Sequence, residues 1–264
     1  MTRVLGVGLL SGWGEGVAAL PADARGAAGA RRVVPAATPA LSGERFRRAT
    51  RECLLGVAAV DAALRDSGLE RAAVAGPRTA LVYATAAAYG ASNRAFVVSE
   101  SASAEQRGGL YFPYTAPSSV PAEVAIEYGL TGGYVILVGG PVAGVDALWQ
   151  ASTLLAAGRA DLALVLAVET FDECEELWSR GRWTTPRPLV ETAACAVLAG
   201  DGRELGYGAA VGASTLETLA SRRAGETLAC APLVALALAR AAGTPRARVT
   251  GTWRGRSAQI ALAT

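Results

Sequence analysis

The chain has 264 residues, 52% of them hydrophobic and 18% charged, enough apolar material for one large domain or two fused halves and too little charge for a disordered chain. Its 25 basic and 23 acidic residues leave a net charge of +2, which gives no electrostatic case for nucleic acid, a partner that needs a clustered basic face. There is no histidine, and the four cysteines, Cys53, Cys174, Cys195 and Cys230, show no C-x-x-C spacing, so neither a zinc site of the usual kind nor any other cofactor is expected.

The first element, "RVLGVGLL" (3–10), has the pattern of a strand. The opening "MTRVLGVGLLSGWGEG" is short, broken by glycine and followed by Glu15, which fits a strand better than a signal peptide. Residues 21–43, rich in Ala, Gly, Pro and Arg, predict a loop. A helix is predicted over 44–67, where Phe46, Ala49, Cys53, Val57, Val60 and Leu64 recur at three and four to make one apolar face, with Gly68 as its stop. "RTALVYAT" (78–85) is a short apolar run of strand length, and 91–106 predicts a helix. "GGLYFPYTAPSSVP" (108–121) is a Pro- and aromatic-rich loop, followed by a short helix over 122–129.

"YVILVGGPVAGVDAL" (134–148) then predicts a strand, a tight turn and the start of a helix that continues to residue 158. "ADLALVLAVE" (160–169) is a continuous apolar strand of the kind buried on both faces of a layered sheet. "ETAACAVLAG" (191–200) and "LGYGAAVGAST" (205–215), joined by "DGRE", predict a hairpin. A helix over 227–243 leads into strands at 247–253 and 257–263. Alternating strands and helices with some antiparallel edges predict a layered α/β/α fold in a single domain spanning 1–264. No run of 18 apolar residues lacks charge or glycine, so no membrane span is expected. Cys53, Cys195 and Cys230 fall in apolar patterns, consistent with buried thiols in a reducing cytoplasm. Cys174, in "FDECEEL", is surrounded by acids that hold its thiol protonated.

The turn at 139–141 has the form of a nucleophile elbow, which lifts a Ser or Cys above a helix N-terminus. Such an elbow needs a side chain that attacks and a donor for the oxyanion. Pro141 has neither, since its ring is inert and it carries no N–H. Proline does suit the first position of a helix. Gly139 and Gly140 have no side chain, and Asp146, inside the helix, reads as a solvated or capping acid.

The stretch 120–170 resembles the β-ketoacyl-ACP synthases of the thiolase superfamily, which carry an "AAGQVAIRFGLKG" helix, a strand and a "T-A-C-A-S-G" elbow. The register runs without a gap from Val120 to Glu169 and places the family's catalytic cysteine on Pro141. "GETLACAP" (225–232) resembles the "G-H-T-L-G-A-A-G" motif, with Glu226 where a histidine would be. "GTWRGRSAQIALA" (251–263) resembles the terminal "G-F-G-G-x-N-A" turn and strand, with Trp253 at the gating phenylalanine and Arg254 in place of a glycine. The segment that would hold the other histidine is absent. The resemblance implies a thiolase-like fold with an N-terminal ketosynthase-like half (1–215) and a shortened C-terminal half (216–264), and no catalytic set at the degenerate positions Pro141, Glu226 and Trp253.

It also implies a role: a non-catalytic partner of an active ketosynthase, similar to the chain-length factors of type II polyketide and aryl-polyene systems. The strand Tyr134, Val135, Ile136, Leu137, Val138 would then pair across a heterodimer interface, and Tyr111, Phe112 and Tyr114 would close the partner's acyl tunnel, although aromatics clustered in a loop also serve as local core. Two alternatives stand beside it. One is a pseudoenzyme that docks an acyl carrier protein, an acidic partner, on the basic runs 45–51, 221–223 and 246–256, although such runs also serve as solvated faces. The other is an acyl hydrolase or transferase with chemistry relocated to Cys174, Cys195 or Glu226, although a carboxylate at a helix start serves commonly as a cap.

Overall fold

The computed structural model describes residues 2–101, 112–171, 186–200 and 206–264. In chain order the elements are β1 (Arg3–Ser11), β2 (Gly14–Glu15), α1 (Ala24–Ala28), β3 (Val33–Val34), α2 (Arg51–Ser67), α3 (Arg71–Val74), β4 (Thr79–Thr85) and α4 (Gly90–Ser101). They continue as α5 (Ser119–Tyr128), β5 (Tyr134–Val138), α6 (Pro141–Ala156), β6 (Leu162–Glu169), β7 (Leu189–Val190) and β8 (Thr192–Ala199). The chain closes with α7 (Thr215–Ala224), α8 (Ala231–Ala241), β9 (Arg246–Trp253) and β10 (Arg256–Ala263).

One eight-stranded sheet runs in the order β5-β4-β6-β8-β1-β10-β9, with β2 beside β1. The strands β5, β4 and β6 are parallel, and β8 is antiparallel to both β6 and β1. The junction of β1 with β10 is a single register pair, Arg3 with Ala263, so a five-stranded sheet and the β9–β10 hairpin meet there almost end to end. Every residue of β4 is buried, as are all but the first of β6, which explains why both strands are apolar without alternation.

The two faces of the five-stranded sheet differ. Leu81, Tyr83, Leu164, Leu166 and Val197 point toward α2 and α5. Ala80, Ala84, Ala163, Ala167, Ala194 and Ala196 point the other way, toward α6 and α8. Those two helices are themselves small at the contact, with Ala143, Ala147, Ala151, Ala235 and Ala239 buried. They are pressed between the sheet and the β9–β10 hairpin, and small residues let three layers close on one another. These alanines together therefore form a packing surface. The outer side of the hairpin alternates to polar, with Arg246, Arg248 and Thr252 exposed, as expected of a ladder buried on one face.

Several expected elements differ in extent. The helix expected over 44–67 is a 3-10 turn (Glu44–Arg48) followed by α2, because Thr50 takes the extended backbone of an N-cap. The stop at Gly68 is left-handed, with φ 69°. The loop expected over 21–43 contains α1 and β3. The helix expected over 227–243 begins as a 3-10 turn (Leu228–Cys230) before α8.

The hairpin expected between 191–200 and 205–215 does not form. β8 is taken by β1 and β6, two apolar partners that bury both its faces. The described part of the second segment makes one bridge, Gly208 to Gln259 of β10, because Gly206, Gly208 and Gly212 offer no side chains to pack. Among the described residues no helix is long and apolar enough to cross a membrane.

Candidate functional site

The elbow lies where β5 turns through Gly139 and Gly140 into α6. The Gly139 N–H donates to the Thr85 carbonyl at the end of β4 (2.9 Å), which anchors the turn to the sheet. Pro141 takes the first position of α6 and is buried. Both glycines of the surrounding cradle are required by close approach. A Cβ on Gly140 would stand 2.4 Å from the indole ring of Trp253, and a Cβ on Gly251 would stand 2.5 Å from the carbonyl oxygen of Pro141. Strand β9 thus lies directly across the start of α6, with Trp253 on the turn. No atom at position 141 can attack, and none can donate to an oxyanion.

A second turn faces this one at the start of α8. Leu228 holds φ 44°, a left-handed conformation costly for a branched side chain, and is fixed by burial against Phe171 and Leu189. Glu226 accepts from the Leu228 N–H (3.2 Å), so it caps the turn. Burial raises its carboxyl above the usual range.

Between the two turns lies a residue that sequence reasoning passed over. Glu169, fully buried at the end of β6, accepts from the N–H groups of Ala86 (2.7 Å), Ala87 (2.9 Å) and Ala229 (3.1 Å). The Thr85 hydroxyl donates to it as well, at 3.5 Å. Burial pushes its carboxyl up to about 8, against the pull of those donors. It ties the end of β4 to the turn before α8, and the N–H groups that could have met a ligand anion there are committed to internal carboxylates. A lone glutamate ending the apolar run "LALVLAVE" was the available signal.

A second buried carboxylate, Glu191, accepts from Ala36 N (2.9 Å) and Phe171 N (2.9 Å) and pairs with Arg51.

The cysteines are held as thiols. Burial pushes Cys53 up to about 11 and raises Cys195 and Cys230 as well, and Cys230 donates to the Thr192 carbonyl at 3.3 Å. Cys174 lies outside the described residues. Asp146, expected to be solvated, instead accepts from the Tyr207 hydroxyl (2.9 Å) and lies 3.9 Å from Arg256, while the Tyr207 ring stacks on Trp149 at 4.7 Å. Parts of the first two basic runs are tied into the fold, Arg45 pairing with Glu123 and Glu127, Arg51 with Glu191, and Arg223 donating to the carbonyls of Val17, Leu20 and Pro21, while Arg246 and Arg248 of the third are exposed.

β5 is the edge of the sheet, paired on one side with β4. Tyr134 and Val138 are 58% and 56% exposed, and Val135, Ile136 and Leu137 are half-buried. The aromatic loop is split. Tyr111 lies outside the described residues, Tyr114 packs against the core beneath α2 and α5, and Phe112 is 64% exposed, its ring 5.8 Å from that of Phe96 on α4. Val97 and Val98 on α4 are also exposed, an apolar pair in "ASNRAFVVSES" that the sequence reading left unused.

The family model of the β-ketoacyl synthase N-terminal domain matches residues 14–221. No curated protein matches the sequence. Among solved structures, a chain of the ishigamide ketosynthase/chain length factor superposes with a TM-score of 0.72 at 16% identity, over 98% of both chains. A chain of AntDE:AntF, a type II PKS acyl-carrier protein in complex with its ketosynthase bound to the hexaketide, gives 0.73 at 15% identity, over 100% of this chain and 99% of that one. A chain of the ketosynthase ApeO in complex with its chain length factor ApeC, from Xenorhabdus doucetiae, gives 0.64 at 14% identity, over 100% of this chain and 99% of that one. These likenesses establish a thiolase-like ketosynthase fold. With the family model covering most of its length, the chain belongs to the β-ketoacyl synthase family.

Proposed function

We propose that this chain is a non-catalytic, chain-length-factor-like subunit that pairs with an active ketosynthase in polyketide or fatty-acid-like biosynthesis and shapes the acyl tunnel. The observation that carries the reading is the elbow: an intact strand-turn-helix with Pro141 at the nucleophile position and Trp253 packed on the turn. Chemistry relocated to cysteine has little support, since Cys53, Cys195 and Cys230 are buried and protonated, and Glu226 is spent on a cap.

The open edge of β5 supports the pairing. An apolar edge strand left unpaired is an aggregation hazard, and a second strand across it is the natural protection. The exposed apolar groups of α4 and Phe112 extend the surface available to a partner. A catalytic ketosynthase subunit is the partner this reading names, with an acyl carrier protein delivering substrate to the pair.

Co-expression with a ketosynthase that retains its cysteine and histidines, followed by mass measurement in solution, tests the reading. A stable one-to-one complex is expected, and Leu137→Lys should abolish it or leave the chain insoluble. A soluble monomer that ignores the ketosynthase refutes it.

A further inference from the structure

We propose that Trp253 is a built-in plug that shuts aliphatic acyl thioesters out of this subunit's own elbow. Three features fix the ring in place. It lies so close to Gly140 that a single added methyl would meet it at 2.4 Å. It packs against the apolar cluster of Phe171, Leu189 and Leu228. Its strand cannot lift away without separating Gly251 from Pro141, where backbone meets backbone.

The hairpin that carries the ring is equally constrained. Arg254 (φ 48°) and Gly255 (φ 79°) close a tight turn immediately after Trp253, and the Arg254 guanidinium lies 5.5 Å from the ring centroid. The half-buried indole fills space between the turn at Gly140 and the apolar cluster of Phe171, Leu189 and Leu228. Apolar cavities of roughly 150 Å³ stay dry and bind benzene-sized ligands, so an indole-sized hole there would take a short alkyl chain. The plug is therefore the steric half of what Pro141 does chemically: one removes the nucleophile, the other removes the room. The inference rests on this chain's own packing, and it stands whether or not a ketosynthase is the partner.

The test compares the wild-type chain with Trp253→Ala, using hexanoyl-pantetheine as the probe and calorimetry as the readout, and indole as a cavity filler followed by thermal melting. The expected result is at least tenfold tighter probe binding by Trp253→Ala, with indole raising its melting temperature and competing with the probe. Equal binding by the two proteins, or binding by neither, overturns the proposal. Should Trp253→Ala not fold, Gly140→Ala reads the same contact. It should lower the melting temperature by about 5 °C or more, and Gly140→Ala with Trp253→Phe should recover part of the loss. A Gly140→Ala chain that melts with the wild type overturns the proposal as well.

Discussion

Replacing Glu169 by glutamine probes the joint between the two turns. In the wild type two carboxyl oxygens serve three N–H groups, from Ala86, Ala87 and Ala229. Glutamine keeps one oxygen and substitutes an amide that cannot accept, so one buried N–H loses its partner at a cost of roughly 1–3 kcal/mol. A second, pH-dependent effect runs the other way. Burial holds the carboxyl protonated up to about 8, against 4.5 when it is exposed to water. Between those values the folded chain binds a proton that the unfolded chain has released, so this contribution to stability is full below 4.5 and is lost as pH rises through 8. Each tenfold change in proton affinity is worth about 1.4 kcal/mol, which makes the whole effect a few kcal/mol. Tyr83 and Cys230, which face Glu169, are raised by burial and stay neutral across this window. Glutamine does not titrate. Urea unfolding at pH 5.5, 7 and 9 should therefore show Glu169→Gln less stable than wild type at pH 5.5, with a gap that narrows as pH rises. A gap that stays constant or widens refutes the reasoning.

Pro141→Cys should neither form a stable acyl adduct nor condense acyl groups, because the chain has no histidine to handle protons and Trp253 still covers the turn; intact-mass spectrometry after incubation with acyl carrier protein thioesters checks this, and an adduct with turnover counts against it. Phe112→Ala should leave the stability of the isolated chain within about 0.5 kcal/mol, since the ring is already 64% exposed, yet lengthen the product when the variant is co-expressed with a partner ketosynthase. An intact assembly with unchanged product lengths would show that the loop is structural and the tunnel end lies elsewhere.

The elements with strong local signals were legible. The period of Cys53, Val57, Val60 and Leu64 marked α2, and the unbroken apolar runs marked β4 and β6, because a buried face leaves its spacing in the sequence. Pro141 announced the start of α6 for the same local reason. What stayed hidden depends on partners distant in sequence. β8 chose β1 and β6 over the adjacent glycine-rich segment, a competition decided by burial that no local window contains. Position 253 could be placed from its resemblance to the family's terminal turn, but the contact with Gly140 spans more than a hundred residues and exists only once β9 crosses α6. Glu169 was visible as an acid ending an apolar strand, while its three donors come from two other elements.

The two margins of the sheet are unlike, and under the proposed pairing the contrast would limit the size of an assembly. At one margin β5 offers Tyr134, Val138 and a row of backbone groups that has no strand partner among the described residues. At the other, β9 presents Arg248, and like charges brought strand to strand repel. A protein with two adhesive margins would add copies end on end into a fibre, since nothing would close the series. Under the proposed pairing, one margin would recruit and the other refuse, and growth would stop after the first partner. Arg248 of β9, across the sheet from the interface strand, would then act as the terminator that keeps a strand-pairing protein finite.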